Sequence, residues 1–287
     1  MPYIAFLTDW GHKSYYVGVT KAVIKKINPG VEIIDLTHEV ETFNVREAMY
    51  VLFRAFGDFP SESIFLAVVD YGVGTQRKAL ALQLEKGYTF VGPDNGLFTL
   101  IAENEKVVKI VELNRPQYFY HPLPSSTFHG RDIFAPCAAY LSRGIPIDEL
   151  GSPVNLKDVF FLPYEKPRIK NNTLQGEIAY ADHFGNLETN LPGHYLQEIE
   201  IKEGEQLTIQ VGDKKFIATY QLPYAAVSRG ELIVHPDSSG YLEIAAYQDS
   251  AREIIKAKGG EKILLKSLSL KKSLNHQIPE EEKDKLF

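Results

Sequence analysis

Short apolar runs alternate with helical periodicity through the first half of the chain. Tyr3 to Thr8, Val31 to Leu36 and Ile64 to Asp70 are apolar almost throughout, and runs of that length without polar alternation read as strands buried on both faces. Ser14 stands where it would cap a helix from Tyr15 to about Ile27, which Asn28-Pro29-Gly30 stops. Asn44 and Glu47 have the spacing of a capping box and open an amphipathic helix over Val45 to Ala55. Leu80 to Leu84 and Thr89 to Val91 flank Lys86-Gly87 as a hairpin, and Val107 to Leu113 adds a strand. A later helix is bracketed by Asp132 and Gly144-Ile145-Pro146, with Pro136 admitted in or near its first turn. Strands separated by crossover helices predict a layered α/β domain.

The texture changes after Phe161. Leu162 to Arg168 is charged, contains two prolines and has no period, as linkers do. Beyond it come short strands at Glu177 to Tyr180, Gln206 to Val211, Phe216 to Tyr220, Leu232 to Val234 and Tyr241 to Ala246, with Gly212-Asp213 as a turn. That spacing predicts a smaller all-β, barrel-like domain. The expected organisation is an α/β domain over residues 1–163, a barrel-like domain over 164–270 and a polar tail over 271–287.

Composition narrows the class of partner. Hydrophobic residues at 44% and charged residues at 24% belong to a globular protein. The 37 acidic side chains exceed the 31 basic ones, for a formal charge of -6, which argues against a nucleic-acid backbone as partner. The single cysteine, Cys137, lies in an apolar run and reads as an inert core thiol. The first residues show no basic segment followed by a long apolar one, and no stretch approaches the roughly 18 apolar residues of a membrane span. A cytoplasmic protein without membrane attachment is expected.

Ligands of layered α/β sheets collect at the carboxyl ends of the strands, and Asp9, Asp35, Asp70 and Asp94 all follow apolar runs. Such acids suit a divalent metal, and equally the caps and turns of an ordinary fold. Val69 to Arg77 is more specific: a strand ending in an acid, a turn with Gly72 and Gly74, then an arginine. Ser125 to Asp132 is a hydroxyl-rich loop feeding a helix, with His129 a candidate base. Gly92 to Gly96 has turn chemistry around Asp94 and Asn95. In the second half, Ala181 to Asn190 sets Phe184 among polar groups, which suits a flat heterocycle, and Ser228-Arg229-Gly230 suits a carboxylate.

Taken in order, these segments resemble the SAM hydroxide adenosyltransferase family, the adenosyl-forming hydrolases of S-adenosyl-L-methionine (SAM), which are related to the SAM-dependent fluorinase and chlorinase. The likeness runs through Leu7-Thr8-Asp9-Trp10-Gly11, Asp35-Leu36-Thr37-His38, Val69 to Arg77, Gly92 to Gly96, Thr127 to Asp132 and Asp182 to Asn190. It implies an α/β domain followed by a β-barrel, SAM as substrate without a cofactor or metal, and a homotrimer whose site is shared between subunits. It also implies a catalytic set of Asp70, Arg77 and His129, with Asp9 on the ribose. Trp10 and Asn95 line the substrate, Phe184 and Asn186 hold the adenine, and Asp182, Ser228 and Arg229 hold the methionine end. Tyr71 stands where the family usually has proline, and Trp10 where phenylalanine is common.

In the halogenases an aromatic residue takes the place of Asp70 and the His129-Gly130 pair is altered. Here both the acid and the histidine are present, and a carboxylate beside the reacting carbon repels a halide while accepting hydrogen bonds from water. The resemblance therefore implies hydrolysis of SAM to adenosine and L-methionine. A halogenase, a metal-dependent phosphohydrolase and a non-catalytic SAM-binding module are the alternatives.

Overall fold

The apolar runs at the start of the chain become parallel strands, with β1 (Ile4–Thr8) lying between β2 (Ile33–Thr37) and β3 (Ile64–Val68). β4 (Ala79–Leu84) and β5 (Thr89–Pro93) form the predicted hairpin, β6 (Val107–Leu113) has the expected bounds, and β7 (Gly151–Pro153) adds a short edge. These strands make one mixed sheet in the order β2-β1-β3-β5-β4-β6-β7. Its parallel half runs from β2 to β5, and its remaining pairs are antiparallel. This computed structural model describes residues 2–268, and by internal packing the chain divides after Pro163 into two units.

Helices cover both faces of the first unit's sheet. Ile4 and Phe6 join the core that contains Val17 and Ile24 of α1 (Tyr16–Ile27). Ala5 and Leu7 join the one that contains Ala48 and Leu52 of α2 (Val45–Ala55). Alternate residues of one unbroken apolar strand thus serve two cores, which is why no polar alternation appears in it. The short α3 (Thr99–Asn104), which no sequence signal announced, packs on α2, and α4 (Ala135–Ser142) packs on α1.

The helix starts differ from expectation in two places. Tyr15, not Ser14, occupies the N-cap of α1, and no side chain caps it. The helix expected from Asp132 opens earlier, in a π turn over Gly130–Phe134 that runs into α4. Asp132 is spent elsewhere, on the Ser125 N–H at 2.8 Å. Asn44 does cap α2, its side chain accepting the Glu47 N–H at 3.1 Å.

The second unit, from Tyr164 onward, contains β8 (Arg168–Lys170), β9 (Thr173–Ala181), β10 (Leu187–Pro192), β11 (Gln206–Val211), β12 (Lys214–Tyr220), β13 (Leu232–Pro236), β14 (Tyr241–Ala246) and β15 (Lys262–Ser267). Seven of these close into a barrel in the order β10-β14-β13-β12-β11-β15-β9, sealed by the β9–β10 pair, while β8 extends the sheet beside β9. Leu207 and Ile209 from β11 meet Leu242 and Ile244 from β14 in its core. β8, whose first residue Arg168 falls in the expected linker, and β10 and β15 escaped the sequence reading. In β10 the cause is visible, since Glu188, Thr189 and Asn190 are polar yet buried. The expected tail at 271–287 lies outside the described residues.

Candidate active site

Thr8 pairs with Val68 in the sheet, so Asp9 and Asp70 leave it at the same end. The chain passes from β1 to β2 on one side and to β3 on the other, and the crevice at such a reversal is where open α/β sheets hold ligands.

Asp70 follows β3 and receives the Gly72 N–H at 3.1 Å, a turn that brings Arg77 back onto it. Arg77 Nε lies 3.1 Å from each Asp70 oxygen and Nη2 lies 2.5 Å from Oδ2. The two side chains are only 10% and 5% exposed. Arg77 Nη2 also lies 2.9 Å from His129 Nδ1. A guanidinium carries donors alone, so Nδ1 accepts and the proton of a neutral imidazole sits on Nε2. Burial, and then the charge of Arg77, hold the His129 pKa below the usual 6.5, which keeps the ring neutral. The guanidinium also lies 5.1 Å from the centre of the Phe134 ring, so the π turn supplies a wall as well as a histidine.

Two glycines set how closely these loops approach. Gly74 has φ +77°, and a Cβ there would stand 2.3 Å from Ser126 O, so the loop after Asp70 lies main chain to main chain against the loop before His129. A Cβ on Gly130 would stand 2.5 Å from the Trp10 ring. Trp10 meets Phe6 and Phe128 edge to face at 5.8 and 5.4 Å. Asp9 Oδ2 accepts the Phe43 N–H at 2.8 Å. Burial raises the Asp9 pKa, and the charge of Asp70 pushes in the same direction.

Asn95 has a different setting. Its Nδ2 donates to Val69 O at 2.7 Å, its Oδ1 accepts the Leu97 N–H at 3.3 Å, and the residue is buried. Asn95 therefore bears on Asp70 through the main chain that precedes it. The four strand-end acids have separate partners: Phe43 N for Asp9, Lys21 for Asp35, Arg77 for Asp70 and Phe160 N for Asp94. Cys137 is fully buried, and burial pushes its thiol far up.

In the second unit, Asp182 and Asn186 close the turn between β9 and β10. Asp182 Oδ1 accepts the Asn186 N–H at 2.8 Å, and its Oδ2 accepts from Asn186 Nδ2 at 3.2 Å. Phe184, at the tip, is 76% exposed. Phe184, Asn186, Tyr224 and Tyr247 line a cavity of about 580 Å³, in the size range of small-molecule sites. Sequence reasoning missed Tyr224, whose hydroxyl donates to Glu243 at 2.7 Å, and His235, whose Nε2 lies 3.0 Å from the same oxygen. His235 and Glu243 face each other across the β13–β14 pair, and Tyr224 reaches the same carboxylate from the turn before β13, so the cluster depends on strand register that residue pattern does not reveal. On a separate turn, Ser228 N–H bonds to Glu231 at 2.8 Å, and Arg229 is exposed.

The sequence matches the SAM hydroxide adenosyltransferase N-terminal domain over residues 4–151 and the C-terminal domain of the same family over residues 176–264. This chain belongs to the SAM hydroxide adenosyltransferase family. It is similar to the (R)-S-adenosyl-L-methionine hydrolase of Thermus thermophilus, 35% identical over 272 residues that cover 91% of this chain and 98% of that one. A fluorinase from an Actinoplanes species is more distant, 26% identical over 85% of this chain and 90% of its own. A crystal structure of an uncharacterized conserved protein from Thermotoga maritima superposes with a TM-score of 0.87 at 47% identity, covering 91% of this chain and 99% of that one.

As a SAM hydroxide adenosyltransferase, the chain brings together five of the residues singled out in its α/β unit: Asp9, Trp10, Asp70, Arg77 and His129. Asn95 stands behind them. In the barrel, Asp182, Phe184 and Asn186 share one turn, and Ser228 and Arg229 share another. No helix among the described residues is long and apolar enough to cross a membrane.

Proposed function

We propose that this enzyme hydrolyses SAM to adenosine and L-methionine by attack of water on the ribose C5′, opposite the sulfonium. The observation that carries this reading is the contact of one Arg77 nitrogen with both Asp70 and His129, at 2.5 and 2.9 Å. The name of the Thermus relative specifies the R configuration at sulfur, and (R)-SAM is the substrate we assign.

In the reaction a bond forms between the water oxygen and C5′, the C5′–S pair departs with sulfur, and the attacking oxygen loses one proton. Methionine leaves as a neutral thioether and needs no acid. His129 does not take the proton, because its Nδ1 faces Arg77 and its Nε2 already bears hydrogen; it donates Nε2–H to the attacking oxygen and aims it. Asp70 takes the proton. A carboxylate suffices as the acceptor because the oxygen turns strongly acidic as the bond to carbon forms. Placement of water in line with the C–S bond, about 3 Å from carbon, supplies the larger share of the barrier reduction. The negative charge of Asp70 disfavours a halide at that place.

Asp9 binds the ribose hydroxyls and Trp10 forms the adjoining wall. Asn95 holds Val69 and, through it, Asp70. Phe184 stacks on the adenine while Asn186 reads its edge, and Asp182, Ser228 and Arg229 hold the methionine end. Residues 1–163 form the catalytic domain, and the barrel domain that follows supplies these binding turns. The enzyme works in the cytoplasm as a homotrimer that composes each site from neighbouring subunits, without cofactor or metal.

Chromatography of products from (R)- and (S)-SAM, with and without chloride, tests this. Adenosine and methionine, formed from the R epimer and abolished by Asp70→Asn and His129→Ala, support it. 5′-Chloro-5′-deoxyadenosine, intact SAM after prolonged incubation, or activity lost to EDTA refutes it. A monomeric mass by light scattering refutes the shared site.

A further inference from the structure

His38 lies outside the reacting trio and is completely buried. It sits at the centre of a chain of polar contacts that starts at the surface and ends on the loop carrying Asp9. Lys21 Nζ meets Asp35 Oδ2 at 2.6 Å, and Asp35 Oδ1 stands 3.1 Å from His38 Nε2, off the axis of a straight hydrogen bond. His38 Nδ1 lies 2.8 Å from Thr8 Oγ1, and that oxygen lies 3.3 Å from Trp10 N. The His38 carbonyl accepts the Gly11 N–H at 2.7 Å.

The direction of each contact follows from the chemistry of its ends. Burial lowers the His38 pKa against the pull of Asp35, so the ring is neutral and one nitrogen bears hydrogen. A bare Nε2 would set its lone pair against the anionic Asp35, so the proton is on Nε2 and Nδ1 accepts. The Thr8 hydroxyl must then donate to Nδ1, which turns its lone pairs toward the Trp10 N–H. His38 thereby grips the segment Asp9-Trp10-Gly11 from both sides, by its ring through Thr8 and by its own carbonyl. The Phe6 ring, 4.7 Å away and edge to face, fixes the plane of the imidazole.

We propose that His38 is a positioning residue for the reaction: through Thr8 and Gly11 it holds the Asp9–Gly11 loop where Asp9 meets the ribose and Trp10 meets Gly130. The kinetic consequence rests on the hydrolase reading above; the structural consequence does not. Trp10 is the only tryptophan of the chain, so its fluorescence reports this loop alone.

The test compares His38→Gln, Thr8→Val, which keeps the shape of Thr8 without its hydroxyl, and Thr8→Ser, which keeps the hydroxyl. In the first two, acrylamide quenching of Trp10 rises about twofold as the loop opens locally. KM for SAM rises about tenfold, the worth of a lost buried hydrogen bond, while kcat stays within about threefold. Thr8→Ser restores both to the unmodified values. Unchanged quenching in Thr8→Val and His38→Gln, with circular dichroism confirming the fold, overturns the proposal, as does equal behaviour of Thr8→Val and Thr8→Ser. Should His38→Gln fail to fold, the Thr8 pair decides. Should the unmodified protein release no adenosine, the hydrolase reading falls, and Trp10 quenching still decides the role of His38.

Discussion

Arg77 and Arg229 carry the same guanidinium into opposite surroundings. Arg77 is nearly closed to solvent, is bound to Asp70 through two nitrogens and touches His129. Arg229 sits exposed on a barrel turn. The contrast extends to their neighbours. In the α/β unit, residues far apart in sequence are locked together before any ligand arrives, down to the tautomer of His129. On the barrel, Asp182 and Asn186 bond to each other within a single turn, and the Phe184 ring projects from that turn. Preorganised dipoles and charges lower a barrier because they need not reorganise during the reaction, whereas an exposed ring gains its contacts only when a ligand covers it. The first arrangement suits chemistry and the second suits binding.

Replacing each arginine by methionine is the strongest way to break this contrast. Arg77→Met leaves Asp70 buried and unpaired, so stability falls by about 3 kcal/mol, and adenosine formation falls by about 10³-fold or more as water and His129 lose their fixed geometry. Arg229→Met leaves the urea midpoint unchanged and raises KM. Urea melts with product chromatography check both, and equal loss of kcat in the two variants would show that the division between chemistry and binding is wrong.

A smaller effect is expected at Gly130. The Cβ of Gly130→Ala would overlap the Trp10 ring at 2.5 Å, and either the ring or the π turn carrying His129 must yield. Overpacking of this kind costs about 1–3 kcal/mol, and a displaced His129 lowers kcat by about 10²-fold. A variant with unchanged kcat would mean that Trp10 moves freely and that the wall is not part of the preorganised set.

Much of this arrangement was legible in the chain. The acid, glycine turn and arginine of residues 70–77 are close in sequence, and two buried strands announced the ends from which Asp9 and Asp70 project. His129 is 52 positions from Arg77, so its partnership came only through resemblance to a family, and its tautomer came only from the distance to Arg77. Phe43 contributes a main-chain N–H to Asp9, and no side chain advertises that. Asn95 was placed on the substrate only through resemblance to a family, since its segment has plain turn chemistry, and its amide is taken up by Val69 and Leu97. β10 was hidden for the converse reason, since its buried polar residues find main-chain partners elsewhere in the second unit: Thr189 donates to Leu242 O at 2.6 Å, and Asn190 donates to Glu165 O at 2.7 Å. Local pattern reports which face is apolar; it is silent on polar groups satisfied by distant partners.

The pH dependence sharpens the account of His129. Protonation adds hydrogen to Nδ1, the atom that faces the Arg77 guanidinium, so only the neutral ring fits the site. Burial and Arg77 both favour that form. Activity therefore stays level as pH falls through the ordinary histidine value of 6.5 and declines only below it, by about tenfold per pH unit. A profile of kcat/KM against pH checks this. An acid limb centred above 6.5 would mean that a cationic His129 is not excluded and that the assigned tautomer is wrong.

The smallest effect, and the one that isolates the binding half of the comparison, is expected at Phe184. Its ring is 76% exposed, so it contributes little to the folded state and its loss leaves thermal stability unchanged. A planar ring over a planar base is worth about 0.5–1.5 kcal/mol beyond its area, and leucine keeps much of the apolar area while losing the stack. Phe184→Leu should accordingly raise KM about fivefold and leave kcat as it was, because the adenine makes the same contact before and during displacement at C5′. Were kcat to fall with KM fixed, Phe184 would be acting on the transition state, and the exposed barrel turn would belong with the chemistry after all.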